Sequence, residues 1–212
     1  MQNKQKDKTL FASTIFLVSI YLAGIIGIHS IYKDFFLMLS PFNLLVSMTM
    51  IFLNHKGYNK SFLIFCFIII IIGFIVEVIG VQTGIVFGKY VYGKTLGLKL
   101  LGVPIIIGIN WLMLVYCAGV ICHKIKGQIF LKSILGATLL TFLDFFIEIV
   151  ATKYDFWSWN DVSIPIQNYI AWFIVSFLFL LLFNTLNFTK NNRLAYYLFI
   201  AQSLFFISLA LF

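Results

Sequence analysis

Long apolar runs separated by short polar links recur from end to end of this chain of 212 residues. A run of about 20 residues crosses a hydrocarbon core as a helix. Seven such runs stand out, at roughly 9–28, 35–53, 62–80, 103–122, 129–150, 165–187 and 193–212. No link is long enough for a separate soluble domain, so 1–212 reads as a single integral membrane domain. The expected fold is all-α and polytopic, with about seven transmembrane helices. The first run follows Lys4, Lys6 and Lys8, as a signal peptide would. It is too long for a signal core and no small-x-small cleavage site follows, so it reads as a retained helix.

Two links break the simple pattern. Residues 81–102, VQTGIVFGKYVYGKTLGLKLLG, are rich in glycine and aromatics. Gly80, Gly84 and Gly88 suit a small-residue packing stripe about as well as anything else. Gln82, Thr83, Lys89 and the interleaved aromatics favour a re-entrant or interfacial segment, which membranes tolerate only where protein or a cavity covers the backbone. The second link, ATKYDFWSWNDVSIP at 151–165, carries Trp157 and Trp159 about one serine. An aromatic belt at headgroup level accounts for them more readily than a substrate role for any one ring. Asp155 and Asp161 read as solvated loop residues.

The polar positions inside the apolar runs carry the functional signal. Of seven Asp and Glu in the chain, Glu77, Asp144 and Glu148 lie within apolar runs. Ionisable groups there are costly, and each is by default a functional-site hypothesis. With the N-terminus inside, both unusual links emerge on the outer face. Glu77, Asn110 with Trp111, Asp144 with Glu148, and Gln167 with Asn168 then fall at similar depth on four helices. Asp144 and Glu148 are spaced i, i+4 and share a helix face. Two such carboxyls in low dielectric favour retention of at least one proton, which is what a general acid requires. The plainer alternative is that they bond Asn110, Asn168, Tyr169 or Trp111 and only hold helices together.

Composition narrows the choices. With 62% hydrophobic and 10% charged residues and a mean hydropathy of +1.04, the chain lies outside the soluble range. The net charge of +8 comes from fifteen Lys and Arg, which divide ten to five between the inner and outer faces. That is the positive-inside bias, which places the N-terminus in the cytoplasm and points to anionic lipid rather than nucleic acid. Cys66, Cys117 and Cys122 have no CxxC spacing and read as buried packing residues. His29, His55 and His123 make no HxxxH or HxxHH cluster, which excludes a histidine-rich di-iron site. No GxGxxG and no GxSxG appears, and DFFIE is a poor substitute for the paired Asp-rich clusters of a prenyltransferase. Acid–base chemistry on an apolar substrate remains, or proton-coupled movement of a solute.

The strings EVIGVQTGIVFGKYVYGKTLGLKLLGVP, NW at 110–111, DFFIE at 144–148, FWSWN at 156–160 and IPIQNYIAWF at 164–173 resemble carotenoid biosynthesis proteins of the CruF type. These are membrane-bound carotenoid hydratases and include bisanhydrobacterioruberin hydratase. The resemblance is clear over 77–173, and one departure is that Ile149 follows Glu148 where the family tends to have proline. It implies an integral protein of a bacterial or archaeal-type cytoplasmic membrane, with a carotenoid and water as partners beside membrane lipid. The implied reaction adds water to the terminal C1=C2 bond of an acyclic carotenoid end group and needs no metal and no redox cofactor. Glu77, Asp144 and Glu148 are then the expected catalytic carboxyls. Thr83, Tyr90, Tyr92, Asn110, Trp111, Trp157, Trp159, Gln167, Asn168 and Trp172 are the expected substrate-binding residues. An end-group cyclase, a proton-coupled transporter and a structural membrane subunit are the competing readings.

Overall fold

A computed structural model describes residues 2–161 and 163–212, with side chains from Lys8 onward, so Lys4 and Lys6 of the basic N-terminus lie outside the described side chains. The helices are α1 (Gln2–Ile28), α2 (Lys33–Met38), α3 (Ser40–Asn54), α4 (Lys60–Thr83), α5 (Ile106–His123), α6 (Ile129–Lys153), α7 (Ile166–Thr185) and α8 (Leu194–Leu211). Six, in α1 and α4 to α8, are long and apolar enough to cross a membrane. The second expected span differs. It is divided at Leu39, and Pro41 occupies the first turn of α3. Proline has no N–H to continue a helix from Leu37, whereas the opening turn of a new helix needs none there. At 15 residues α3 is shorter than the six spans, yet it runs antiparallel beside α1. Asn54 Nδ2 donates to Ser13 Oγ at 2.9 Å, and Tyr21 Oη lies 3.5 Å from Ser47 Oγ.

Helix α5 is the axis of the bundle. Every residue from Trp111 to Val120 is buried, as befits a helix that is apolar on all sides. Its neighbours approach closely at glycines. A Cβ on Gly108 would stand 2.6 Å from the Ile70 carbonyl oxygen of α4. Gly108→Val is therefore expected to force α4 and α5 apart and cost about 1–3 kcal/mol. A lowered thermal midpoint in detergent would show it; an unchanged midpoint would contradict this packing account.

The two unusual links meet at one end of the bundle. α4 stops at Gly84, which takes the left-handed φ of +69° and returns its N–H to the Gly80 carbonyl at 2.8 Å. Gly80, Gly84 and Gly88 consequently do not form one helical stripe. Strand β1 (Tyr90–Tyr92) pairs antiparallel with β4 (Trp157–Trp159), with Tyr90 opposite Trp159 and Tyr92 opposite Trp157. Strands β2 (Lys99–Leu100) and β3 (Val103–Pro104) form a second small hairpin. The ribbon continues past β1, where Gly93 N–H donates to the Phe156 carbonyl at 2.9 Å. No side chain fits at 93, since a Cβ would lie 2.1 Å from the Asp155 carbonyl oxygen. Asp155 is exposed as expected, but it is more than a solvated residue. Its Oδ2 accepts the Lys94 N–H at 2.9 Å and ties the two links together.

Candidate functional site

Successive strand residues point to opposite faces. In the β1–β4 ribbon Val91 and Ser158 are exposed, so Tyr90, Tyr92, Trp157 and Trp159 all turn toward the helices. Their polar tips divide between two carboxyls. Tyr90 Oη and Tyr92 Oη donate to Glu77 Oε2 at 2.5 and 2.8 Å. Trp111 Nε1, from α5, donates to Glu77 Oε1 at 2.9 Å. Trp157 Nε1 and Trp159 Nε1 donate to Glu148 Oε2 at 3.0 and 2.8 Å. Cross-strand ring contacts brace the arrangement, with Tyr90 and Trp159 centroids 5.3 Å apart and Tyr92 and Trp157 centroids 5.9 Å apart.

Asn168, near the start of α7, bridges the acidic pair of α6. Its Nδ2 donates to Asp144 Oδ2 at 2.9 Å and to Glu148 Oε1 at 3.0 Å. Asp144 Oδ1 is buried without a partner among the described residues. Glu77 and Glu148 thus each accept three hydrogen bonds, while Asp144 accepts one and keeps an open oxygen. An ionised carboxylate only accepts, and no described donor reaches the open oxygen of Asp144. All three are sealed from the outside, with Glu77 5%, Asp144 0% and Glu148 3% exposed.

The Tyr90 and Tyr92 hydroxyls lie on the ribbon, outside the spanning helices. Burial pushes both above the ordinary tyrosine range, and the Glu77 carboxylate pushes them further. Both therefore remain protonated donors to Glu77 at any ordinary working pH. Converting Tyr90 and Tyr92 together to Phe removes two charge-assisted bonds worth about 1.5–3 kcal/mol each. The double variant is expected to lose stability and at least tenfold in product, read by detergent melting and pigment yield.

Glu77, Glu148, Asn168 and Trp172 share a cavity with the ribbon aromatics. Its volume is about 20 Å³, roughly the room one water needs. Trp172 stacks on Trp111 with centroids 4.5 Å apart and planes at 28°. Trp157 and Trp172 also form one wall of a larger, mostly apolar cavity of about 80 Å³. The other expected binding residues fall elsewhere. Asn110 lines the larger cavity rather than the carboxyls. Thr83 is exposed and finishes α4, donating to the Ile79 carbonyl and accepting the Ile85 N–H. Gln167 is exposed and donates to carbonyls of Gly84, Ile85 and Val86 just past the end of α4. Cys66, Cys117 and Cys122 are free and buried, as expected.

Four polar residues of the larger cavity lie outside the set expected from the sequence: Tyr21, Ser40, Asn43 and Gln202. Asn43 and Gln202 interrupt apolar runs just as the carboxyls do, but neutral amides attract less notice there. The carboxyls do not use Asn110 or Tyr169 as partners; Asn168 and Trp111 serve, joined by the four ribbon aromatics.

The family model described as carotenoid biosynthesis protein matches residues 36–211. No curated protein and no solved structure matches the chain. The match takes in α3 to α8, both unusual links and every residue around the three carboxyls. It is also wider than the 77–173 over which the resemblance is clear by eye. Since those positions amount to 176 (211 − 36 + 1) of 212 residues, the chain belongs to the carotenoid biosynthesis protein family and acts in that pathway at the membrane.

Proposed function

We propose that this protein is a carotenoid hydratase. It adds water to the terminal C1=C2 bond of an acyclic end group and leaves a tertiary alcohol. The observation that carries the reading is one water-sized cavity bounded by two carboxyls from different helices, Glu77 and Glu148. A carboxyl on each side of a single water is the minimum that hydration requires, one to give a proton and one to take it.

In this mechanism the neighbouring Asp144 and Glu148, both bound by Asn168, hold one proton between them because two carboxylates so close do not both ionise, and Glu148 presents it at the cavity. The proton goes to C2, and the C1=C2 π electrons form the new C–H bond. Positive charge is left on C1, the more substituted carbon. The faces of Trp157 and Trp172 stabilise it by roughly 0.5–2 kcal/mol per ring. Water attacks C1 and loses a proton to Glu77. Return of that proton to Glu148 through the next cavity water resets the site. Trp157 and Trp172 separate the cavity from the apolar one beside it. The end group therefore reaches Glu148 only when an indole swings aside, and Trp157, on the ribbon, is the more easily displaced.

The positive-inside bias supports an N-terminus in the cytoplasm and a site near the outer face. Pigments from a host making acyclic-ended carotenoids, with and without the gene, test the activity. A product heavier than the substrate by one water is expected. An isomer of unchanged mass would mean ring closure and a cyclase instead.

A further inference from the structure

We infer that the crevice between α1, α3 and α8 is the binding channel for the polyene, entered sideways from the lipid. This rests on the carotenoid reading above and adds where and how the substrate is held. Two cavities carry it. One, of about 210 Å³, lies at the lipid side and is lined by Phe16, Ile20, Gly24, Phe42 and Val46. The other is the 80 Å³ cavity that ends on Trp157 and Trp172. Ser40, Asn43 and Phe205 line both, so the two are neighbouring parts of one path. Its inner end is the tryptophan wall of the carboxyl site.

The chemistry of the walls selects the occupant. None of the residues lining either cavity carries a formal charge. A diphosphate or carboxylate head would have no counter-ion there and would bear its full desolvation cost. A neutral hydrocarbon chain incurs no such cost, and close packing against the cavity walls holds it. The polar groups present are neutral: Tyr21, Ser40, Asn43, Asn110 and Gln202, with Asn43 Oδ1 buried and without a partner among the described residues. They suit water or a hydroxyl near the end group, not a phosphate. Gly24 keeps the lipid side open, since a Cβ there would already stand 3.1 Å from the Phe205 ring. The break at Leu39 contributes as well, because α2 and α3 part at Leu39 and Ser40, which line the crevice.

The test is photo-crosslinking in membranes of a carotenoid-producing host. Benzoylphenylalanine replaces Phe42, which is exposed and lines the crevice, or Phe67, which is equally exposed on α4, away from it. The expected result is a carotenoid adduct at 42 and at most one-tenth as much at 67. In parallel, Leu44→Trp, which fills the inner cavity without touching a carboxyl, is expected to cut both adduct and product at least tenfold at normal protein level. Equal labelling at 42 and 67, or hydrated product made without an adduct at 42, would overturn the channel. An adduct at 42 with pigment of unchanged mass would uphold the channel and remove the hydratase reading instead.

Discussion

Glu148→Gln is expected to abolish hydrated product, with a loss of about 10²–10⁴-fold against the unsubstituted protein at equal membrane abundance. Gln keeps the shape, and its one carbonyl oxygen still accepts from Trp157 and Trp159, while its NH2 faces the Asn168 donor, so the fold is kept with a loss of about 1–3 kcal/mol. It cannot deliver a proton to an alkene. Glu77→Gln is expected to fail as well, for the opposite reason: Gln does not accept a proton from attacking water. Pigment extraction and mass analysis read both variants, with protein level checked by immunoblot. Full product from both well-expressed variants would end the acid–base assignment and leave the carboxyls as helix glue. The two losses should not multiply in the double variant, because residues acting as one unit are strongly non-additive.

The second large effect separates holding from chemistry. Asn168→Leu takes away the only described donor to Asp144 and the Oε1 donor to Glu148. A buried acceptor left without its partner costs about 1–3 kcal/mol, more when charged. The single variant is expected to be strongly destabilised, by about 2–6 kcal/mol over the two groups. Asp144→Leu with Asn168→Leu replaces a polar pair by an apolar one, which is nearly neutral where shapes match. The double variant should therefore melt above Asn168→Leu alone, with a coupling of about 0.5–3 kcal/mol. It should nonetheless make little product, because Glu148 has lost the carboxyl that shares its proton. Recovery of stability and product together would make the acidic pair structural. Recovery of stability alone is the expected outcome, and it matches the general finding that buried polar clusters are weak evidence for stability.

Much of this was legible in the chain itself. Apolar run length determined the membrane class and most helix positions, since only a helix of about 20 residues satisfies its own backbone across hydrocarbon. The three carboxyls stood out because such groups are so costly in that setting, and the i, i+4 spacing of Asp144 and Glu148 is local. The break before Pro41 was also present as a signal, though an apolar run of the right length concealed it.

What the sequence could not settle is which distant groups meet. YVY and WSW each alternate with period two, but three residues are too few to mark a strand. Only the pairing of β1 with β4 brings Tyr90 and Tyr92 to Glu77 while Trp157 and Trp159 take Glu148. The same folding sends Thr83 and Gln167 to backbone carbonyls and Asn110 to the neighbouring cavity, because a hydrogen bond depends on side-chain direction and reach, not on depth in the membrane. Hydropathy is a property of each segment, so the chain alone marked the six long spans, though it also marked the run that the structure divides at Leu39. Partner choice is a property of separated segments in three dimensions, so the tertiary structure alone decided what surrounds the acids.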